Sequence, residues 1–158
     1  MTMIKTNVMR ILDKMNIEYN VMTYEVKDNK VDGISVAKKI GRDEKYLYKT
    51  IVTHANSKEI YVIVIPVRQE IDFKKVARVT NEKNIEMLDL RDLQKCTGYI
   101  RGGCSPIGMK KKYKTFIDKG ALEIDKIIVS AGKIGFQIEL NPNLLKDIVD
   151  GEFADLIK

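Results

Sequence analysis

The sequence has no tryptophan, one histidine, two cysteines and three prolines, and each shortage removes a class of explanation. With His54 alone, a zinc site of the common kind would need His54, Cys96 and Cys104 together, at no recognisable ligand spacing. A catalytic triad would have to run through His54, and nothing in the sequence sets it beside a nucleophile. The chemistry expected is therefore free of metal and cofactor and does without a histidine base. No run of 18 apolar residues occurs, so no membrane-spanning helix is expected. The segment MTMIKTNVMRILDKMN has neither an unbroken apolar core nor a small-residue cleavage site, which argues against a secretory signal. Two cysteines without an export signal read as reduced thiols of a cytoplasmic protein.

What is present fits one domain over residues 1–158. A chain of this length buries roughly 70% of its unfolded surface, and its 44% apolar content can fill the core. Lysine and arginine exceed acids to give a net charge of +6. Residues 95–119 hold seven basic side chains against Asp118 alone, so this one segment accounts for the whole excess. A cationic segment on a neutral body suits a polyanion, nucleic acid first. Its plain alternative is a solvated lysine-rich turn.

Hydrophobic spacing sets the elements. Ile4, Val8, Ile11, Leu12 and Met15 form one stripe of a helix ending near Asn16. Residues 17–24 alternate as a strand. Asp32 or Ser35 caps a short helix reaching Lys39 and closed by Gly41. LYKTIVTH and EIYVIVIP read as two strands joined through ANSK, with Pro66 ending the second. Asp72 caps FKKVARVT, IEML is a short strand, and Asp89 caps a helix running to Thr97. TFID, KIIVSA and FQIEL are three more strands, and Asn141–Pro142 opens a last helix through about Val149. About seven strands and five short helices, with hairpins beside strand–helix–strand units, predict an α/β fold. Its sheet is expected to be mixed and curled, barrel-like, with the helices outside.

Three local features have the makings of a site. Lys49 alternates with Leu47 and Ile51 on one strand face, while Tyr48, Thr50 and Val52 share the other. An inward Lys49 would need a partner for its ammonium, such as a substrate oxygen; an outward one would be an ordinary edge lysine. GGCSPIG, residues 102–108, has adjacent glycines whose N–H groups can converge on an anion, with Ser105 and Pro106 shaping the exit. The same loop can also be a plain turn. It matches neither common nucleotide-binding glycine pattern, and Cys104 within it lacks a neighbouring activator. SAGKIG, residues 130–135, makes a hairpin turn whose small residues also permit close approach of a ligand.

LYKT, GYIRGGCSPIGMKKK and VSAGKIGFQIELNP resemble, in order and spacing, the YbaK/EbsC family of cysteinyl-tRNA(Pro) deacylases, relatives of the editing domain inserted in bacterial prolyl-tRNA synthetases. The likeness runs from about Tyr24 to Ile157 and includes the tail GEFADLIK. It implies a single α/β domain with a mixed, barrel-like sheet, and a hydrolase cutting the ester between a mischarged amino acid and the terminal adenosine of tRNA. The family's lysine falls on Lys49, and its glycine loop on Gly102, Gly103, Ser105 and Pro106. Tyr24, Thr50, Ser130, Gly132 and Gln137 fall among the substrate-binding positions. Arg101, Lys110, Lys111, Lys112 and Lys114 would meet the tRNA. Many members carry an aspartate where Gln137 stands, so a carboxylate role there does not transfer.

The resemblance further implies substrate-assisted catalysis. A cysteinyl ester brings its own thiol, and the protein supplies position and oxyanion stabilisation from Lys49 and the amides of Gly102 and Gly103. Two alternatives stay open at this stage: a deacylase for alanyl or prolyl esters using activated water, and a non-catalytic tRNA-binding module docking beside prolyl-tRNA synthetase. Acyl and tRNA preference and oligomeric state are not legible.

Overall fold

A computed structural model describes residues 4–158; the first three residues of the segment weighed as a secretory signal lie outside them. Helix α1 spans Asn7–Lys14 because Thr6 accepts the Met9 N–H and starts it there. Ile4 thus lies before the helix and is exposed, while Val8, Met9 and Leu12 are fully buried. The N–H of Ile17 returns to the Leu12 carbonyl, so the expected strand from residue 17 shortens to β1, Asn20–Thr23.

Helix α2, Gly33–Ile40, is capped by Asp32, which takes both the N–H and the hydroxyl of Ser35. Gly41 closes it in the left-handed conformation. Strands β2 (Tyr48–Ala55) and β3 (Ile60–Pro66) form the expected hairpin. Helix α3 (Phe73–Thr80) starts at its cap Asp72, and β4 (Ile85–Met87) follows. Helix α4 (Leu90–Thr97) is capped by Asp89 and leads into the glycine loop. Strand β5 is Lys114–Asp118, β6 is Ile127–Ser130 and β7 is Phe136–Leu140. Helix α5 (Pro142–Ile148) is capped by Asn141. An eighth strand, β8 (Glu152–Ala154), lies in the tail.

The strands make two sheets rather than one curled sheet. Three antiparallel strands run in the order β1–β7–β6, and five mixed strands in the order β4–β2–β3–β5–β8. In the larger sheet β5 is parallel to both β3 and β8. Among the described residues a single bridge, between Leu47 and Ile128, joins the two sheets, and their strands form no closed barrel. One face of the larger sheet, with Tyr48, Val62, Val64 and Ile117, packs on the small sheet, α1 and α5. Its other face, with Ile63, Ile65 and Phe116, is covered by Val76 of α3 and Leu156 of the tail. Each fully buried Leu or Ile in these layers contributes about 1.5–3 kcal/mol.

No helix among the described residues is long and apolar enough to cross a membrane. The arrangement leaves a gap beside the Leu47–Ile128 bridge. Where β2 departs from the Leu47–Ile128 bridge, the two sheets diverge, and α2 and the glycine loop frame the opening.

Candidate active site

The opening is a cleft of about 370 Å³. The start of β2 brings Tyr48, Lys49 and Thr50 to it, and the small sheet brings Ser130 and Gln137. Arg101, Gly102 and Cys104 enter from the glycine loop, and Asp32 with an apolar wall including Ile34 and Val36 enters from the start of α2. Gly33 sets that wall: a Cβ there would lie 2.2 Å from Val67, so only glycine lets α2 start so close to the β3 exit. Gly33, next to the cap Asp32, is the sequence signal for this wall.

Lys49 is half-buried. It stands opposite Ile65 in the hairpin register, and its ammonium makes no hydrogen bond or ion pair among the described residues. Desolvation lowers its pKa from the ordinary lysine value, and the more distant Glu70 carboxylate partly opposes this. Thr50 points its hydroxyl to the opposite face, where the oxygen is buried without a partner. Lys49 and Thr50, on opposite faces of one strand, both line the one cleft because they stand at the strand's open end.

The glycine loop is more divided than its sequence. Gly102 has φ +86° and lines the cleft. Gly103 is buried, and its N–H is already donated to the Ile100 carbonyl at 3.0 Å. The N–H groups of Gly102 and Cys104 have no intramolecular acceptor among the described residues. Of the expected pair, Gly103 thus has its amide occupied, while the Gly102 amide and that of Cys104 are open to an acceptor. Burial pushes the Cys104 thiol up to about 12, so at neutral pH it is protonated and a poor nucleophile.

Of the other expected positions, all but Ser130 and Gln137 stand back from the cleft. Ser105 is fully buried and accepts the Ile107 N–H, which shapes the turn. Pro106 faces a different cleft, on the far side of the loop. Gly132, at φ +91°, makes room for Val8 and Tyr99, whose atoms would lie 3.0 Å from an added Cβ. Tyr24 packs behind the apolar wall with Val36, Leu47 and Val67, its hydroxyl buried and unpartnered. Lys39 lies over its ring. Ser130 lines the cleft and accepts the Gly132 N–H.

The basic run is also split. Arg101 belongs to the Lys49 cleft. Lys111 and Lys112 rim the far-side cleft, where Lys112 pairs with Asp150 at 3.5 Å. Lys110 lays its stem along Gly98, and Lys114 opens β5 on the surface. Among the described residues, no three His, Cys, Asp or Glu side chains are grouped to hold a metal ion.

A chain over 152 residues of which 43% are identical occurs in Enterococcus faecalis, in a protein provisionally named Cys-tRNA(Pro)/Cys-tRNA(Cys) deacylase EbsC; the match covers 96% of this chain and 93% of that one. A proline–tRNA ligase of Brachyspira hyodysenteriae is 30% identical over 65% of this chain but only 18% of its own length. The fold is shared with a solved structure described as a candidate trans-editing enzyme for prolyl-tRNA synthetase. Its TM-score is 0.83 at 16% identity, covering 97% of this chain and 98% of that one. The model of the aminoacyl-tRNA editing domain matches residues 29–148, a span that contains every cleft residue named above. The chain belongs to the aminoacyl-tRNA editing domain family.

Proposed function

We propose that this protein is a trans-editing hydrolase that removes cysteine from Cys-tRNA(Pro), with the cysteinyl thiol as the nucleophile. The observation that carries the reading is a cleft with a free cation and free amides but no competent protein nucleophile or base. Ser130 is engaged with Gly132, and Cys104 is held as a thiol. Asp32 is the only carboxylate among the lining residues, and its hydrogen bonds from the Ser35 side chain and backbone hold it below the usual range. A carboxylate so stabilised is a weak base for activating water.

Catalysis then rests on differential stabilisation. The substrate sulfur attacks the ester carbonyl, an S–C bond forms, and the C–O bond to the terminal ribose breaks. The thiol proton ends on the departing ribose hydroxyl, and water then opens the four-membered cyclic thioester that is left, breaking the S–C bond and giving free cysteine with its thiol restored. Charge develops on the carbonyl oxygen, where Lys49 and the N–H groups of Gly102 and Cys104 can meet it. Thr50 and Gln137 offer hydrogen bonds to the bound ester. The apolar wall at Ile34 and Val36 excludes water from the acyl group. The likeness to proline–tRNA ligases supports proline tRNA as the carrier and a prolyl-tRNA synthetase as the partner.

Single-turnover hydrolysis of Cys-tRNA(Pro) tests this. The wild-type protein should clear the ester, and Lys49→Ala should retain tRNA affinity while losing turnover by about 10²–10³. Binding without turnover in the wild-type protein would instead identify a tRNA-binding module.

A further inference from the structure

The glycine loop has two working sides. Arg101, Gly102 and Cys104 line the Lys49 cleft, and from Pro106 onward the same loop walls a second cleft of about 250 Å³. That volume is below the usual range for a drug-sized ligand and suits one small planar group. Its apolar surface comes from Ile11 of α1 and Met15 just past the end of that helix, together with Met109 and Tyr113. Lys111 and Lys112 stand at its rim. Gly108, at φ +78°, brings the loop against α1, since a Cβ there would lie 3.0 Å from Ile11. Met15 is 50% exposed, so this apolar surface is open to a partner.

We propose that the second cleft is a nucleobase slot, taking an unpaired base of the single-stranded RNA that leads to the scissile ester. This rests on the tRNA-editing reading and extends it. Charge complementarity selects the occupant: an apolar slot rimmed by two lysines of the segment that holds the chain's whole net charge matches a flat base flanked by phosphates. The shared wall supplies direction. Cys104 lines one cleft and Pro106 the other, two residues and at most about 7 Å of chain apart. The terminal adenosine enters the Lys49 cleft, and the strand before it crosses the loop into the slot. The exposed Lys112–Asp150 pair gives way readily to a phosphate.

The test compares two substrates and one probe. Cysteinyl-tRNA carries the strand, whereas cysteinyl-adenosine ester carries none of it. The probe is a four-nucleotide RNA ending in CCA, with 2-aminopurine replacing one cytosine. Met15→Glu puts an anion in the slot at an exposed position, and Leu122→Glu, also exposed and away from both clefts, is the control. The proposal expects Met15→Glu to weaken probe binding and tRNA kcat/KM by about tenfold or more. Cysteinyl-adenosine should be cut at the wild-type rate, and Leu122→Glu should change nothing. Wild-type probe binding by Met15→Glu would overturn the slot, as would an equal loss on cysteinyl-adenosine. If the wild-type protein hydrolyses neither ester while Met15→Glu still abolishes probe binding, the editing reading fails and the slot stands.

Discussion

The N–H of Gly103 donates to the carbonyl of Ile100 at 3.0 Å, which tightens the loop and leaves the amides on either side of Gly103 without acceptors. Two adjacent glycines therefore have separate duties. Gly102→Ala forces a side chain into the left-handed region, at a cost of about 1–2 kcal/mol, and brings its Cβ within 2.9 Å of Val31 on the cleft wall. A loss of about 10² in kcat/KM is expected from the displaced amide. Gly103→Ala presses on the backbone N of Ile134 at 3.1 Å and should act mainly on stability. Melting curves and kinetics on both variants separate the two, and a larger kcat loss for Gly103→Ala than for Gly102→Ala would reverse the assignment.

Lys49 is expected to be costly to the fold. Its pKa is lowered, chiefly by desolvation, from the ordinary 10.5. Between the folded value and 10.5 the unfolded chain holds the extra proton, so the stability linked to Lys49 rises with pH through that window. Below the window both states are protonated and the fold carries the full cost of the half-buried cation. Lys49→Met should therefore melt no lower than the wild-type protein at neutral pH while losing hydrolysis. A 13Cε titration of Lys49 should give a midpoint below 10.5, and a midpoint at or above it would remove the argument for a desolvated cation.

Cys104 lines the cleft but is expected to be a spectator. With its thiol pushed up to about 12 by burial, it should resist alkylation at pH 7 and leave catalysis intact when changed. Cys104→Ser should retain kcat/KM within about threefold, because the backbone N–H is unaltered. A loss as large as that of Lys49→Ala would make the side chain a participant.

Salt dependence reads the basic segment. Replacing Lys110, Lys111 and Lys112 together by alanine should lower the slope of log K against log salt by about 2–3, at 0.7–0.9 per lost phosphate contact. Arg101, which lines the same cleft as Lys49, should affect turnover as well as affinity. An unchanged slope in the triple variant would place the tRNA on another face.

Much of this fold is written locally. Asp72, Asp89 and Asn141 each begin a helix where a short polar side chain precedes an apolar run. Strands β2 and β3 follow from β-branched alternation. The tail strand β8 was not legible, since three residues pair in parallel with β5 only through long-range assembly. Thr6 moved the start of α1 past Ile4, a competition between a cap and a hydrophobic stripe that spacing alone does not decide. The barrel expectation gave way to two sheets because, among the described residues, a single backbone bridge, Leu47 to Ile128, links strands that otherwise meet only through side-chain packing.

The site was legible in its residue types and less so in its geometry. Alternation assigns Lys49 and Thr50 to opposite faces, and only the diverging sheets bring both into one cleft. Gly102 and Gly103 look equivalent in sequence, and a single backbone hydrogen bond distinguishes them. Gly132 and Ser105 sit among ligand-like residues yet serve packing and turn geometry.

The most direct measurement is the hydrolysis of cysteinyl- and seryl-tRNA(Pro) side by side, since the two esters differ only in sulfur against oxygen. Thiol-assisted editing predicts rapid loss of the cysteinyl ester, abolished by Lys49→Ala, with the seryl ester left near its spontaneous rate. Hydrolysis of both esters at comparable rates would contradict it and put an activated water in the cleft.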